Sequence, residues 1–313
     1  MKRLIGIIGA LCGVVLLGAC EEESPTEPPK PEPEWAYEGQ WHAIPPQTGA
    51  WLAVAPDGNV YLADEDNHCV KYFTATGSFL GKWGSEGTGN GQFEFPNALA
   101  VAANGNVYVT DDGTHRVQYF TSTGSFLGKW GSGGSGEGQF SMPWGIAVAA
   151  NGNVYVSEVD LDRVQYFTST GKFLGKWGGP GTANGKFNQP AGVAVAPNGN
   201  VYVADWGNAR VQFFSPKGSF LGKWGSPGTG NGEFDEPLDV AVAPYGTVFV
   251  ADGANDRIQY FSAAGSFLGK WGKNGKGDGE FEEPISVHTS PDGKRAYVGD
   301  DGNVRVQYFK KRD

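Results

Sequence analysis

The sequence predicts an all-β fold: a six-bladed β-propeller of four-stranded antiparallel blades, closed by an N-terminal strand that completes the last blade. Three observations carry this expectation: the composition, a repeat of fixed period, and the complementarity of the two ends of that repeat. Of 313 residues, 50 are glycine and 13% are aromatic. Such a chain suits many short strands joined by tight turns, with large side chains filling the space between sheets.

The repeat is marked by Trp83, Trp130, Trp177, Trp224 and Trp271, equally spaced and each inside Gly-Lys-Trp-Gly. One unit is clearest from Pro190 to Gly225. It opens with a small-residue strand, Gly192-Val-Ala-Val-Ala196, and turns through Pro197-Asn-Gly199. A second strand, Asn200 to Asp205, leads through Trp206-Gly-Asn-Ala209 into a third, Arg210 to Phe214. After Ser215-Pro-Lys-Gly218 the fourth runs from Ser219 to Trp224. Short alternating strands between Gly/Asn turns make one antiparallel sheet. Units in series that cannot each bury both faces describe the blades of a propeller.

Six second strands can be counted, beginning at Asn59, Asn106, Asn153, Asn200, Thr247 and Arg295. The sixth unit ends after its third strand, at Val306-Gln-Tyr-Phe309. Its missing strand stands at the other end of the repeat: Trp35-Ala-Tyr-Glu-Gly-Gln-Trp41 aligns with Gly77-Ser-Phe-Leu-Gly-Lys-Trp83. Strand exchange of this kind removes an open sheet edge and closes a ring.

After each second strand comes Asp-x-x-Asn-x-Arg-[Val/Ile], intact at Asp205/Asn208/Arg210, Asp252/Asn255/Arg257 and Asp300/Asn303/Arg305. The second unit has Asp111/Thr114/Arg116, the third Glu158/Leu161/Arg163, and the first Asp64/Asn67/Cys69. On these residues the chain from Trp35 to Phe309 resembles the NHL family. The resemblance implies a propeller and little about activity, since one fold hosts many functions. A catalytic group is needed once and a clamp in every blade, so the acid–arginine pairs read as structural pins, for which a forked guanidinium is well suited. The repeated tryptophan reads as inter-blade packing, and Cys69 as a packed replacement for arginine.

The first nineteen residues have the anatomy of a targeting signal: basic Met1-Lys-Arg3, then an uncharged run from Leu4 to Ala19 that is short for a membrane span. It ends Leu17-Gly-Ala-Cys20, which resembles the lipobox of bacterial lipoproteins. That resemblance implies cleavage before Cys20 and its lipidation. Residues 20–34 are rich in Glu and Pro with no large apolar side chain, the composition of an extended tether. The organisation expected is therefore signal peptide 1–19, tether 20–34 and propeller 35–313, anchored at the bacterial cell envelope and facing outside the cytoplasm.

Binding residues should be those that break the repeat. Loops after the second and fourth strands share one face, here called the top, where the copies diverge at Trp51, His68, His115, Trp144, Trp206 and Asp239. Aromatic side chains with a few polar groups around a central opening make a binding surface. His288 replaces a small residue on an innermost strand and should be packed or line the channel. The Gly-rich connections, such as 84–91, lack Gly-Lys-Ser/Thr and read as flexible links rather than phosphate loops. No cofactor, metal or catalytic set is expected from these residues.

The net charge of −10 and pI near 4.9 deny nucleic acid a basic face. What remains is a monomeric, non-catalytic scaffold for a protein, peptide or glycan, touching the membrane through its lipid only. Relatives of this architecture that are metal-dependent lyases or lactonases supply the alternative: an enzyme with its site at the central channel.

Overall fold

The computed structural model describes residues 34–42 and 51–312. Cys20, the signal segment and nearly all of the tether lie outside them. The unit spanning Pro33–Asp313 contains six four-stranded antiparallel sheets. Blade one is Trp51–Val54, Val60–Asp64, Cys69–Phe73 and Phe79–Trp83, and blades two to five repeat it in chain order. The innermost strands meet their neighbours all the way round, blade six closing on blade one.

Blade six joins Pro284–Thr289, Arg295–Asp300 and Arg305–Lys311 to Trp35–Trp41. The closing strand pairs as the alignment requires: Tyr37 opposite Phe309, Gly39 opposite Tyr308 and Trp41 opposite Val306. The same register, with the same irregularity after the aromatic residue, sets Phe79 opposite Phe73 and Trp83 opposite Val70 in blade one. Glu34, placed in the tether by composition, already belongs to the fold, because its carbonyl accepts the Arg312 N–H at 2.8 Å.

Two devices lock each blade to the next. The blade tryptophan lies under the third turn of the following blade, where a Cβ on Gly171 would sit 2.6 Å from the Trp130 ring. That glycine also has φ +89, so the turn needs glycine on both counts. The second-strand tyrosine donates its hydroxyl to a carbonyl of the same following turn: Tyr61 to Ser122, Tyr108 to Ser169, Tyr155 to Pro216 and Tyr202 to Ala263. Tyr297 in blade six reaches Ala75 in blade one, carrying the pattern across the closure.

Blade five departs from it. Where its partner turn would lie, the chain instead ends its last strand and begins its first. There Trp35, 2% exposed, stacks on Trp271 at 5.7 Å and meets Phe249 edge-on at 5.3 Å. Phe249 is the tyrosine position without its hydroxyl, and the turn that would have accepted the bond is absent.

Candidate binding face

The acid–arginine pairs hold the connections entering each blade. Arg116 donates from Nη1 to Thr88 O and from Nη2 to Gly89 O and Gln92 O, while its Nε faces Asp111. Arg163 does the same with Ser135, Gly136 and Gln139 around Glu158. Arg210 and Arg257 repeat it around Asp205 and Asp252, and Arg305 around Asp300 with an added bond to Gln40. The acids also accept backbone N–H groups, Asn188 on Asp205 and Glu282 on Asp300. Burial outweighs the arginines at Glu158, Asp205 and Asp252 and holds each above the usual carboxylate range.

The Gly-rich connections are therefore not the loose links their composition suggests. Each has three carbonyls committed to one guanidinium and a bridge such as Glu86 to Phe93 across its base. Glycine serves the turn geometry there, not mobility.

Blade one is built differently. Cys69 is 2% exposed, and burial pushes its thiol up to about 11, the setting of an inert packed cysteine. Lys71, standing where the other blades have Gln118, Gln165, Gln212, Gln259 and Gln307, brings Nζ to 2.7 Å from Asp64.

The top-face candidates separate into three groups. His68 and His115 occupy a left-handed loop position, φ 54 and 52, shared with Asp162, Ala209, Asp256 and Val304. His68 Nδ1 bonds Glu94 O at 2.7 Å, just as Asp162 and Asp256 accept Gln189 N and Glu283 N. This position ties one blade's loop to the next connection. The His68 ring is thus a fastening, and His115, 4.0 Å from Asp112, sits on the same outer circle.

Trp51 and Trp144 come together, and Trp206 packs against the same cluster. Trp51 is 8% exposed and meets Trp144 edge-on at 5.9 Å. Both join Leu238 and Ile285 in one apolar cluster, with Trp206 packed against it. Four of these five follow the repeat proline or the equivalent Gly49-Ala50 pair in their blades. The first strands enter from the top, so the cluster roofs the central channel. Trp51 is buried under this roof, and Trp144 and Trp206 present its more accessible side.

Asp239, expected on the top surface, is a wall residue. It is 4% exposed, and its Oδ2 accepts the Val287 N–H of blade six at 3.0 Å. Burial raises its carboxyl to about 7. Gly192 makes room for it, since a Cβ there would collide with the carboxylate. His288 lies lower in the wall, half-buried where it lines the channel, and desolvation there lowers its imidazole to about 4. Both border a void of about 10 Å³ beneath the roof. Below it the channel widens to about 240 Å³, lined by small residues such as Ala100, Ala147 and Ala241 with His288 and Thr289. Among the described residues, no three His, Cys, Asp or Glu side chains are grouped to hold a metal ion.

One column of residues escaped the repeat reading. The position after each clamp acid is Glu65, Asp112, Val159, Trp206, Gly253 and Asp301. Of these only Trp206 is among the top-face candidates named from the sequence. Burial first, then neighbouring Asp66, Asp112 and Asp301, holds Glu65 above the usual carboxylate range. Burial does the same at Asp112, against His115. Comparing the blades at that one position would have exposed the acidic arc.

This architecture is that of a six-bladed β-propeller. A family model described as NHL repeat matches residues 52–73, 93–120 and 187–214, so the propeller carries NHL repeats. No curated protein sequence matches the chain. Among solved structures, a streptogramin B lyase is similar at 13% identity, covering 89% of this chain and 98% of that one, with TM-score 0.63. A gluconolactonase from Xanthomonas campestris, also 13% identical, covers 85% and 87% with TM-score 0.61. A nidogen–laminin complex is 15% identical over 71% and 78%, with TM-score 0.56. At such identities the likeness is one of fold.

Proposed function

We propose that the chain is a binding scaffold of the bacterial cell envelope, held by lipid at Cys20 and presenting the top of its propeller to a protein, peptide or glycan. The observation that carries this reading is the apolar roof. Trp51, Trp144, Leu238 and Ile285 arrive from four different blades to seal the channel, and Trp206 extends the aromatic surface beside them. Clustered aromatics rimmed by polar groups are how binding faces concentrate their free energy. Carboxylates around the roof, Glu65 and Asp112 among them, favour a partner carrying positive charge and oppose nucleic acid.

The test is binding to peptide and glycan arrays by the full chain, followed by titration calorimetry on the hits. Trp144→Ala and Trp206→Ala should each weaken binding about tenfold or more, with a fall in Tm for Trp144→Ala, whose ring packs on Trp51, that Trp144→Phe largely restores without restoring binding. Hits that bind both variants unchanged would move the site off the roof.

Asp239 and His288 favour a second reading, an enzyme acting in the channel with a metal, because both are titratable groups in the channel wall beneath the roof. A divalent ion that raises Tm, an effect lost in Asp239→Ala or His288→Ala, would replace the scaffold with that enzyme.

A further inference from the structure

The ring is electrically two-sided. Carboxylates crowd the top loops, whereas the turns of the opposite face hold few acids and a concentration of cations at blade six. Its first turn reads Ser290-Pro-Asp-Gly-Lys-Arg295. By the register of Tyr297 with the other second-strand tyrosines, Arg295 takes the place of an asparagine such as Asn106, and Lys294 is an added residue. Lys310, Lys311 and Arg312 end the neighbouring strand at the same edge.

A groove of about 400 Å³ runs there between blades six and one, with Lys294, Arg295 and Lys310 along it beside Glu38, Asp57 and Asp292. Arg295 forks onto Glu38 at 2.6 and 2.7 Å. Lys310 acts on Glu38 and Lys294 on Asp292 through their charges, each helping to hold that carboxyl below its usual range. Lys311 pairs with Glu34 at 3.2 Å and lies 4.5 Å over the ring of Tyr245, which is 48% exposed. The polypeptide also enters the ring here, at Glu34 beside Arg312.

We infer that this blade-six edge rests on an anionic lipid surface, with Lys294 and Lys310 taking the headgroups and the acidic top turned away. The inference rests on the envelope-anchored reading above. A short tether attached at this edge keeps it at high effective concentration against the bilayer. Basic side chains gain at a negative surface only within about a Debye length, which the point of attachment secures. Tyr245 is the amphipathic ring suited to the headgroup layer, and the carboxylates opposite are repelled, which fixes one orientation over the other.

The test uses the full lipidated chain on vesicles of phosphatidylcholine, with and without phosphatidylglycerol. Flotation at high salt reads the anchor alone. The edge is read separately, by quenching of a fluorophore at Asn104→Cys on the same face by headgroup-labelled lipid. Quenching should be several-fold stronger on the anionic vesicles, and salt or the pair Lys294→Glu/Lys310→Glu should abolish the difference. Lys186→Glu on the top face should leave it intact. Equal quenching on both vesicles, or an anionic preference that survives the double variant, overturns the inference. A chain that fails to float at high salt overturns the anchor instead, and binding to anionic vesicles at low salt then still decides for or against the edge.

Discussion

Lys71 Nζ lies 2.7 Å from Asp64 Oδ2 in the blade where Cys69 stands in the clamp arginine's place. The two substitutions compensate each other. Asp64 is fully buried and needs a cation, but the connection entering blade one is shorter than the rest and contains no glycine between His42 and Thr48. The Gly-rich segment that the other arginines hold is not repeated in that sequence, and Lys71 supplies the charge that Asp64 needs.

Lys71→Gln should therefore destabilise the ring by about 3–5 kcal/mol, the cost of leaving one partner of a buried pair uncompensated. Cys69→Ser should change stability far less. Denaturant unfolding measures both, and a Lys71→Gln protein as stable as the parent would show that Asp64 draws its compensation elsewhere.

Arg210→Lys keeps the charge and loses the planar fork that reaches Thr182, Ala183 and Lys186 together. With several buried carbonyls released, we expect a loss of about 1–3 kcal/mol. Limited proteolysis should then cut first within 178–189, and cleavage elsewhere would contradict the role given to the clamp.

The seam between blades five and six depends on Trp35. Phe249→Tyr places a hydroxyl where no turn carbonyl awaits it, and should cost about 1–3 kcal/mol. The same hydroxyl is what Tyr202 uses, so Tyr202→Phe should cost about 1 kcal/mol and the two mutations should act in opposite chemical directions. Trp35→Ala should cost about 3–5 kcal/mol, and deletion of 35–41 should abolish cooperative melting of the whole ring.

The channel wall predicts a pH dependence. Asp239 holds its proton to about 7 in the fold, against about 4 in an unfolded chain. Stability from the protonated form is thus whole below about pH 4 and lost as pH rises to about 7. Asp239→Asn, which keeps an acceptor for Val287 N, should match the parent's Tm near about pH 4 and exceed it above about pH 7. His288 runs the other way: with its imidazole lowered to about 4, its contribution is whole above about pH 6.5 and lost as pH falls to about 4. His288→Ala should narrow the acid-side loss. A constant Tm gap for Asp239→Asn across that range would remove burial as the cause.

Much of the fold could be read directly because each blade states the same rule. Trp35–Trp41 could be assigned to blade six since its pattern repeats Gly77–Trp83, and side-chain alternation leaves a pairing register little freedom. The clamps were legible as pins from their recurrence. The binding residues were less so. A position that departs from the repeat shows that something differs, not where the side chain points. Asp239 and Trp51 are both departures, yet one turns into the wall toward Val287 and the other under Trp144. His68 and His115 stood out by chemistry, although their left-handed loop position already had a fastening task.

The sequence by itself determined the number of blades, the strands within them and the exchange that closes the ring, because these follow from the period of the repeat. Only the tertiary structure decided which divergent side chains meet. Residues far apart in the chain become neighbours through the ring's closure, and that convergence sets the desolvation of Asp239, the aromatic roof over it and the cationic edge beside Glu34.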